Sequence, residues 1–105
     1  FHKIFISKKV DRNDTSDWIK FQVKQEDKRN VRITILSGLS NDNQISATFY
    51  DKNQIALSKT KIAKAGETID IGFNGVVSDW YYIHILSNKM ESKHVDGYSV
   101  HVELF

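Results

Sequence analysis

Apolar side chains recur at every second position along most of this chain, and that spacing limits the fold more than any other feature of the sequence. A strand sends successive side chains to opposite faces, so a period of two buries one face and wets the other. Ile19, Phe21 and Val23 alternate with Lys20 and Gln22. Val31, Ile33 and Ile35 alternate with Arg32 and Thr34, and Ile45, Ala47 and Phe49 with Ser46, Thr48 and Tyr50. Ile69, Ile71 and Phe73 alternate with Asp70 and Gly72, and Tyr98, Val100, Val102 and Leu104 with Ser99, His101 and Glu103. Ile4-Phe5-Ile6 adds a short first strand. The segment from Trp80 to Leu86 is apolar on both faces, which suits a central strand or one whose outer face is covered or used.

Turn-forming residues separate these runs. A polar loop spans Ser7 to Ser16, a charged turn Gln25 to Asn30, and Ser37-Gly38, Asn41-Asp42-Asn43, Ala65-Gly66 and Asn74-Gly75 break the chain further. Asp51-Lys52-Asn53 tolerates left-handed backbone and predicts a hairpin into Gln54 to Ser58. Ser58 to Ala65, with its Lys, Ala and Ile, is the one stretch able to form a short helical turn. About eight short strands joined by polar turns describe an all-β fold, an antiparallel β-sandwich. With no repeat, no low-complexity tract and no proline, residues 1–105 read as a single domain, long enough to bury roughly 65% of the surface of the unfolded chain. The expected core holds Ile19, Phe21, Val23, Ile33, Ile35, Phe49, Ile71, Ile83, Val100 and Val102.

Charge excludes several functions. Fifteen basic residues against 13 acidic ones leave a formal net charge of +2, spread along the chain. The densest basic cluster, Lys8-Lys9 with Arg12, is answered by Asp11, Asp14 and Asp17, so nucleic acid is not an expected partner. The absence of cysteine removes disulfides and thiolate chemistry. No apolar run approaches the ~18 residues of a membrane span. The chain opens on Phe1 rather than Met and reads as a processed or excised piece. No Gly-x-Ser-x-Gly elbow, phosphate-cradling glycine loop or paired carboxylate is present, since Asp70 and Glu103 are isolated on wet faces. The expectation is a protein that is not an enzyme. Of the four histidines, His2, His84, His94 and His101, none stands at ligand spacing from another. His84 and His101 lie on different strands and could meet across a sheet, but read as two exposed strand residues.

Two features exceed this background. The loop from Asp11 to Asp17 crowds three carboxylates and Asn13 into seven residues, the hard oxygen donors that calcium requires, although a plain Asx-rich turn has the same composition. No other cofactor is suggested. The second feature is the strand Trp80-Tyr81-Tyr82-Ile83-His84-Ile85. With Tyr81, Ile83 and Ile85 in the core, Trp80, Tyr82, His84 and Leu86 form an outward row. Tyr50, on the outward phase of its own strand, is counted with them. Amphipathic rings on a flat sheet suit a ligand surface.

Taken in order, Ser16-Asp17-Trp18-Ile19-Lys20-Phe21-Gln22-Val23, Phe49-Tyr50-Asp51-Lys52-Asn53, Gly66-Glu67-Thr68-Ile69, Trp80-Tyr81-Tyr82-Ile83-His84-Ile85 and Gly97-Tyr98-Ser99-Val100 resemble the bacterial pre-peptidase C-terminal domain. Its relatives include the collagen-binding domains of clostridial collagenases. The resemblance covers nearly the whole chain from Asp11 onward. It implies a jelly-roll-like sandwich, non-catalytic, attached to a secreted extracellular bacterial peptidase, and in some members binding collagen or another insoluble substrate. It also implies that Asp11 and Asp14, an Asp-x-x-Asp before the aromatic strand, fall on calcium-binding positions, and that Tyr82 and His84 are the outward candidates for ligand contact. The partner is then a protein ligand or an insoluble extracellular substrate. Two other readings compete: a structural or assembly subunit whose aromatic face is buried in a protein partner, and a carbohydrate-binding module.

Overall fold

The computed structural model describes residues 2–10, 16–37, 44–64, 66–87 and 96–105, with side chains from residue 16 onward except that of Asp96. Eight strands follow one another: β1 (His2–Val10), β2 (Ser16–Val23), β3 (Asn30–Ser37), β4 (Gln44–Tyr50), β5 (Lys61–Lys64), β6 (Thr68–Asn74), β7 (Asp79–Ser87) and β8 (Asp96–Leu104). They form two four-stranded sheets, ordered β1-β8-β3-β6 and β2-β7-β4-β5, with every neighbouring pair antiparallel. Only the β4–β5 connection stays within one sheet, and all the others cross between the two. That order is a jelly roll, two interleaved Greek keys, and it confirms the expected β-sandwich.

Register fixes what meets in the middle. Ile33 lies opposite Ile71 and Val102 in one sheet, while Ile83 lies opposite Ile19 and Phe49 in the other. Both apolar rungs are buried between the sheets, and a slip of one residue would turn either outward. All ten residues expected in the core are buried. The core centres on Phe49, which stacks against Phe21 at 5.9 Å and Tyr81 at 5.6 Å between centroids and meets Phe73 edge-on at 6.0 Å.

Two tyrosines hold the ends of the sandwich. Tyr98 of β8 donates its hydroxyl to Asp17 Oδ2 of β2 at 2.5 Å, a bond from one sheet to the other. The Tyr81 hydroxyl donates to the Val77 carbonyl at 2.8 Å and accepts from the Val77 N–H at 3.1 Å, tying down the link before β7. Burial pushes this phenol above its ordinary pKa. Tyr81→Phe keeps the ring and deletes both bonds, so a urea titration is expected to show a loss of about 1 to 3 kcal/mol. An unchanged midpoint would show that the tether contributes nothing.

The structure departs from the sequence reading in three places. β1 runs from His2 to Val10, beyond Ile4-Phe5-Ile6 and into the expected polar loop, because pairing with β8 carries its backbone where hydrophobicity gives no signal. The possible helical turn from Ser58 to Ala65 is instead β5, in which only Ala63 is buried and Ile62 is open to solvent. Backbone pairing with β4 and the Thr48–Thr60 hydroxyl contact at 2.7 Å define that edge. The Asp51 hairpin does form, its carboxylate accepting from the Asn53 and Ile55 N–H groups. The left-handed residue is Gln54, with φ 61°, and the return limb pairs only through a Tyr50–Ala56 bridge.

Candidate functional site

The outward phase of the β2-β7-β4-β5 sheet collects the rings that alternation leaves outside the core. Register aligns them in rows: Ser16, Leu86, Ser46 and Ile62; then Trp18, His84 and Thr48; then Lys20, Tyr82 and Tyr50; then Gln22 and Trp80. The His84 imidazole stacks on the Trp18 indole, 4.1 Å between centroids and 8° between planes. Tyr50 leans on the same indole at 5.3 Å, and Tyr82 meets it edge-on at 6.2 Å. Offset, stacked and edge contacts at these separations are the favourable aromatic geometries. The result is a contiguous cluster of four rings, Trp18, Tyr50, Tyr82 and His84, with Trp80 one row further along the same face; Trp18 and Trp80 are still 46% and 41% exposed.

Polar contacts fix its margins. Ser16 Oγ lies 2.9 Å from His84 Nε2, Lys20 Nζ sits 4.8 Å above the centre of the Trp80 ring, and Lys52 Nζ pairs with Asp79 Oδ2 at 3.0 Å. The hydrogen bond between the last two raises the Lys52 pKa and lowers that of Asp79. A serine beside a histidine needs a third group on the imidazole to work as a nucleophile pair. His84 makes no bond to a carboxylate among the described residues, and no group of three or more potential metal ligands occurs among them.

Desolvation among the rings holds the His84 pKa below its ordinary value. The unfolded chain, with its histidine near about 6.5, therefore takes up a proton first as pH falls, and the contribution of His84 to stability is lost below that point. An NMR titration of the His84 ring is expected to show a midpoint below that of a free histidine, and His84→Gln is expected to flatten the acid-side fall of melting temperature. A midpoint at or above the free value would contradict the packing described.

Trp80, Tyr82, His84 and Tyr50, the residues expected to contact a ligand, thus share one face. Trp18 belongs at the centre of that face and was not singled out by sequence reasoning. The signal was present, since Trp18 is in phase with Lys20 and Gln22 rather than with Ile19 and Phe21. Asp11 and Asp14 lie outside the described residues, as does the side chain of His2 and all of His94. His84 and His101 do not meet, because β7 and β8 belong to different sheets. The outer face of the second sheet differs in chemistry: Arg32 pairs with Asp70 at 3.7 Å, Thr34 donates to Asp70 at 3.2 Å, and a shallow cleft is lined by Arg32, Thr34, His101 and Glu103.

No family model matches this sequence, and no curated protein does. Among solved structures, the pre-peptidase C-terminal domain of a collagenase from Bacillus anthracis is similar, with a TM-score of 0.68 at 17% identity over 95% of this chain and 88% of that one. A structure of infectious bursal disease virus, Gx strain, gives a TM-score of 0.37 at 12% identity, over 98% of this chain and 31% of that one, too weak a likeness to argue from. The jelly-roll sandwich is therefore the class of protein defined here. Within that class, this chain has the fold of a pre-peptidase C-terminal domain.

Proposed function

We propose that this chain is a non-catalytic accessory module of a secreted bacterial protein, and that it binds an extracellular protein ligand through the outer face of the β2-β7-β4-β5 sheet. The observation that carries the reading is the contrast between the two outer faces. One gathers Trp18, Tyr50, Tyr82, His84 and Trp80, and the other carries Arg32, Thr34, Asp70, His101 and Glu103. Tryptophan and tyrosine anchor protein interfaces more often than other residues do, and a soluble sheet that meets only water has no need of them. Secretion and attachment to a hydrolase rest on the resemblance in fold and motif order to the pre-peptidase C-terminal domain. A protein ligand is favoured over a sugar because His84 already covers one face of the Trp18 indole, the kind of surface on which a pyranose would stack.

The likeness to a domain of a collagenase makes insoluble collagen the first ligand to try. Co-sedimentation with collagen fibrils is expected for the wild type. Tyr82→Ala and His84→Ala are each expected to weaken it by about 1 to 2 kcal/mol, roughly 5- to 30-fold. Sedimentation equal to the wild type in both variants would remove the aromatic face from consideration.

A further inference from the structure

One end of the β2-β7-β4-β5 sheet holds a cleft that the four-ring cluster does not use. It lies where β2 runs into the turn before β3 and where β7 begins, has a volume of about 350 Å³, and is lined by Gln22, Lys24, Gln25, Glu26, Asp79 and Trp80. The two tryptophans differ in what surrounds them. Trp18 has His84, Tyr50 and Tyr82 against its indole, whereas among the described residues no ring meets Trp80. Lys20, one row nearer Tyr82, lies over one face of the Trp80 ring, and the cleft reaches that ring from Gln22 in its own row and from the residues beyond.

The walls of the cleft are braced. Asp27 accepts from the Lys24 N–H at 2.8 Å, Arg29 donates to the Gln25 carbonyl at 2.9 Å, and the Gly75 and Val76 N–H groups donate to the Arg29 carbonyl. On the β7 side, Asp79 accepts from the Trp80 N–H at 2.8 Å and pairs with Lys52. The side chains of Gln22, Gln25 and Glu26 are by contrast unspent, with no hydrogen bond or ion pair to another described residue. Lys20 and Lys24 stand against Glu26 and Asp79, so the lining selects neither an anion nor a cation.

We propose that this cleft binds a neutral pyranose unit of an oligosaccharide. The C–H face of the sugar packs on the Trp80 indole, and its hydroxyls donate to the Glu26 carboxylate and exchange hydrogen bonds with the Gln22 and Gln25 amides, which both donate and accept. Adjacent hydroxyls on a pyranose have the spacing that a planar carboxylate or amide spans. An aromatic surface with a few convergent polar groups is the usual make-up of a small-molecule site, and such sites start at about 300 Å³. Braced walls lower the ordering cost of binding. The site borders the face assigned to a protein ligand at Trp80 but does not rest on that assignment.

The test titrates the nitrogen-labelled chain with cellotriose, chitotriose and lactose, each to about 20 mM, enough to fill most of a site with a dissociation constant of roughly 1 mM. At least one of them is expected to shift the Trp80 indole N–H and the amides of Gln25 and Glu26 while the Trp18 indole stays in place. Followed at the Gln25 amide, Trp80→Ala and Glu26→Ala are each expected to weaken that sugar about ten-fold or more, and Tyr82→Ala to leave it unchanged. Glu26→Ala is also expected to sediment with collagen fibrils as the wild type does, so failure of this site and failure of the protein-binding face are distinguishable. No shift from any of the three sugars would overturn the proposal. So would shifts centred on Trp18, equal shifts from glycerol at the same concentration, or sugar binding indifferent to both Trp80 and Glu26.

Discussion

Phe49→Ala is expected to cost about 3 to 5 kcal/mol, enough to leave a domain of this size largely unfolded near physiological temperature. Phe49 has no exposed surface and touches rings from three other strands, Phe21 of β2, Tyr81 of β7 and Phe73 of β6. Removing it opens a cavity bordered by stacked aromatics, and rigid rings on strands held in register cannot collapse into that space. Its neighbour Tyr50 points outward from the same strand, so Tyr50→Ala is the internal control and should cost far less. A thermal melt of both variants gives the comparison. Loss of less than about 1.5 kcal/mol for Phe49→Ala would mean that the centre of the core lies elsewhere.

The second large effect is on binding. Trp18→Ala is expected to weaken attachment to fibrillar collagen by about 2 kcal/mol or more, roughly 30-fold, because the indole is the one ring touched by His84, Tyr50 and Tyr82 alike. Stability should change by about 1 kcal/mol or less, the usual worth of a cross-strand aromatic pair on a wet face. The two measurements must separate for the proposal to hold. A melting temperature that collapses together with binding would make Trp18 a structural residue, and undiminished binding would end its role as an anchor.

The alternation of apolar and polar residues carried the strand assignments in β2, β3, β4, β6 and β8, because burial of one face is a property of each strand alone. It also carried the outward row on β7, where Tyr81, Ile83 and Ile85 could not share a face with Tyr82 and His84. The identity of the neighbouring strands was not legible. Jelly-roll order places β7 between β2 and β4, strands far apart in sequence, and only that order sets the Trp18 indole against the His84 ring. Trp18 begins a run that reads simply as half-buried, so nothing in that run sets it apart from Lys20 and Gln22. β5 was harder still, since its one buried side chain, Ala63, offers almost no periodicity and backbone pairing alone makes it a strand. Gln54 at positive φ has no compositional signal, because the Asp51 carboxylate rather than an Asn or Gly shapes that turn.

The most direct measurement follows the two indole N–H signals of Trp18 and Trp80 in a nitrogen-correlated NMR spectrum during titration with a soluble triple-helical collagen peptide. Both tryptophans stand on the outer face of the β2-β7-β4-β5 sheet, and Thr34 and His101 stand on the outer face of the other. The expected result is that both indole signals shift or broaden with the peptide while the amides of Thr34 and His101 stay in place. Binding that moves Thr34 and His101 and leaves both indoles untouched would contradict the account.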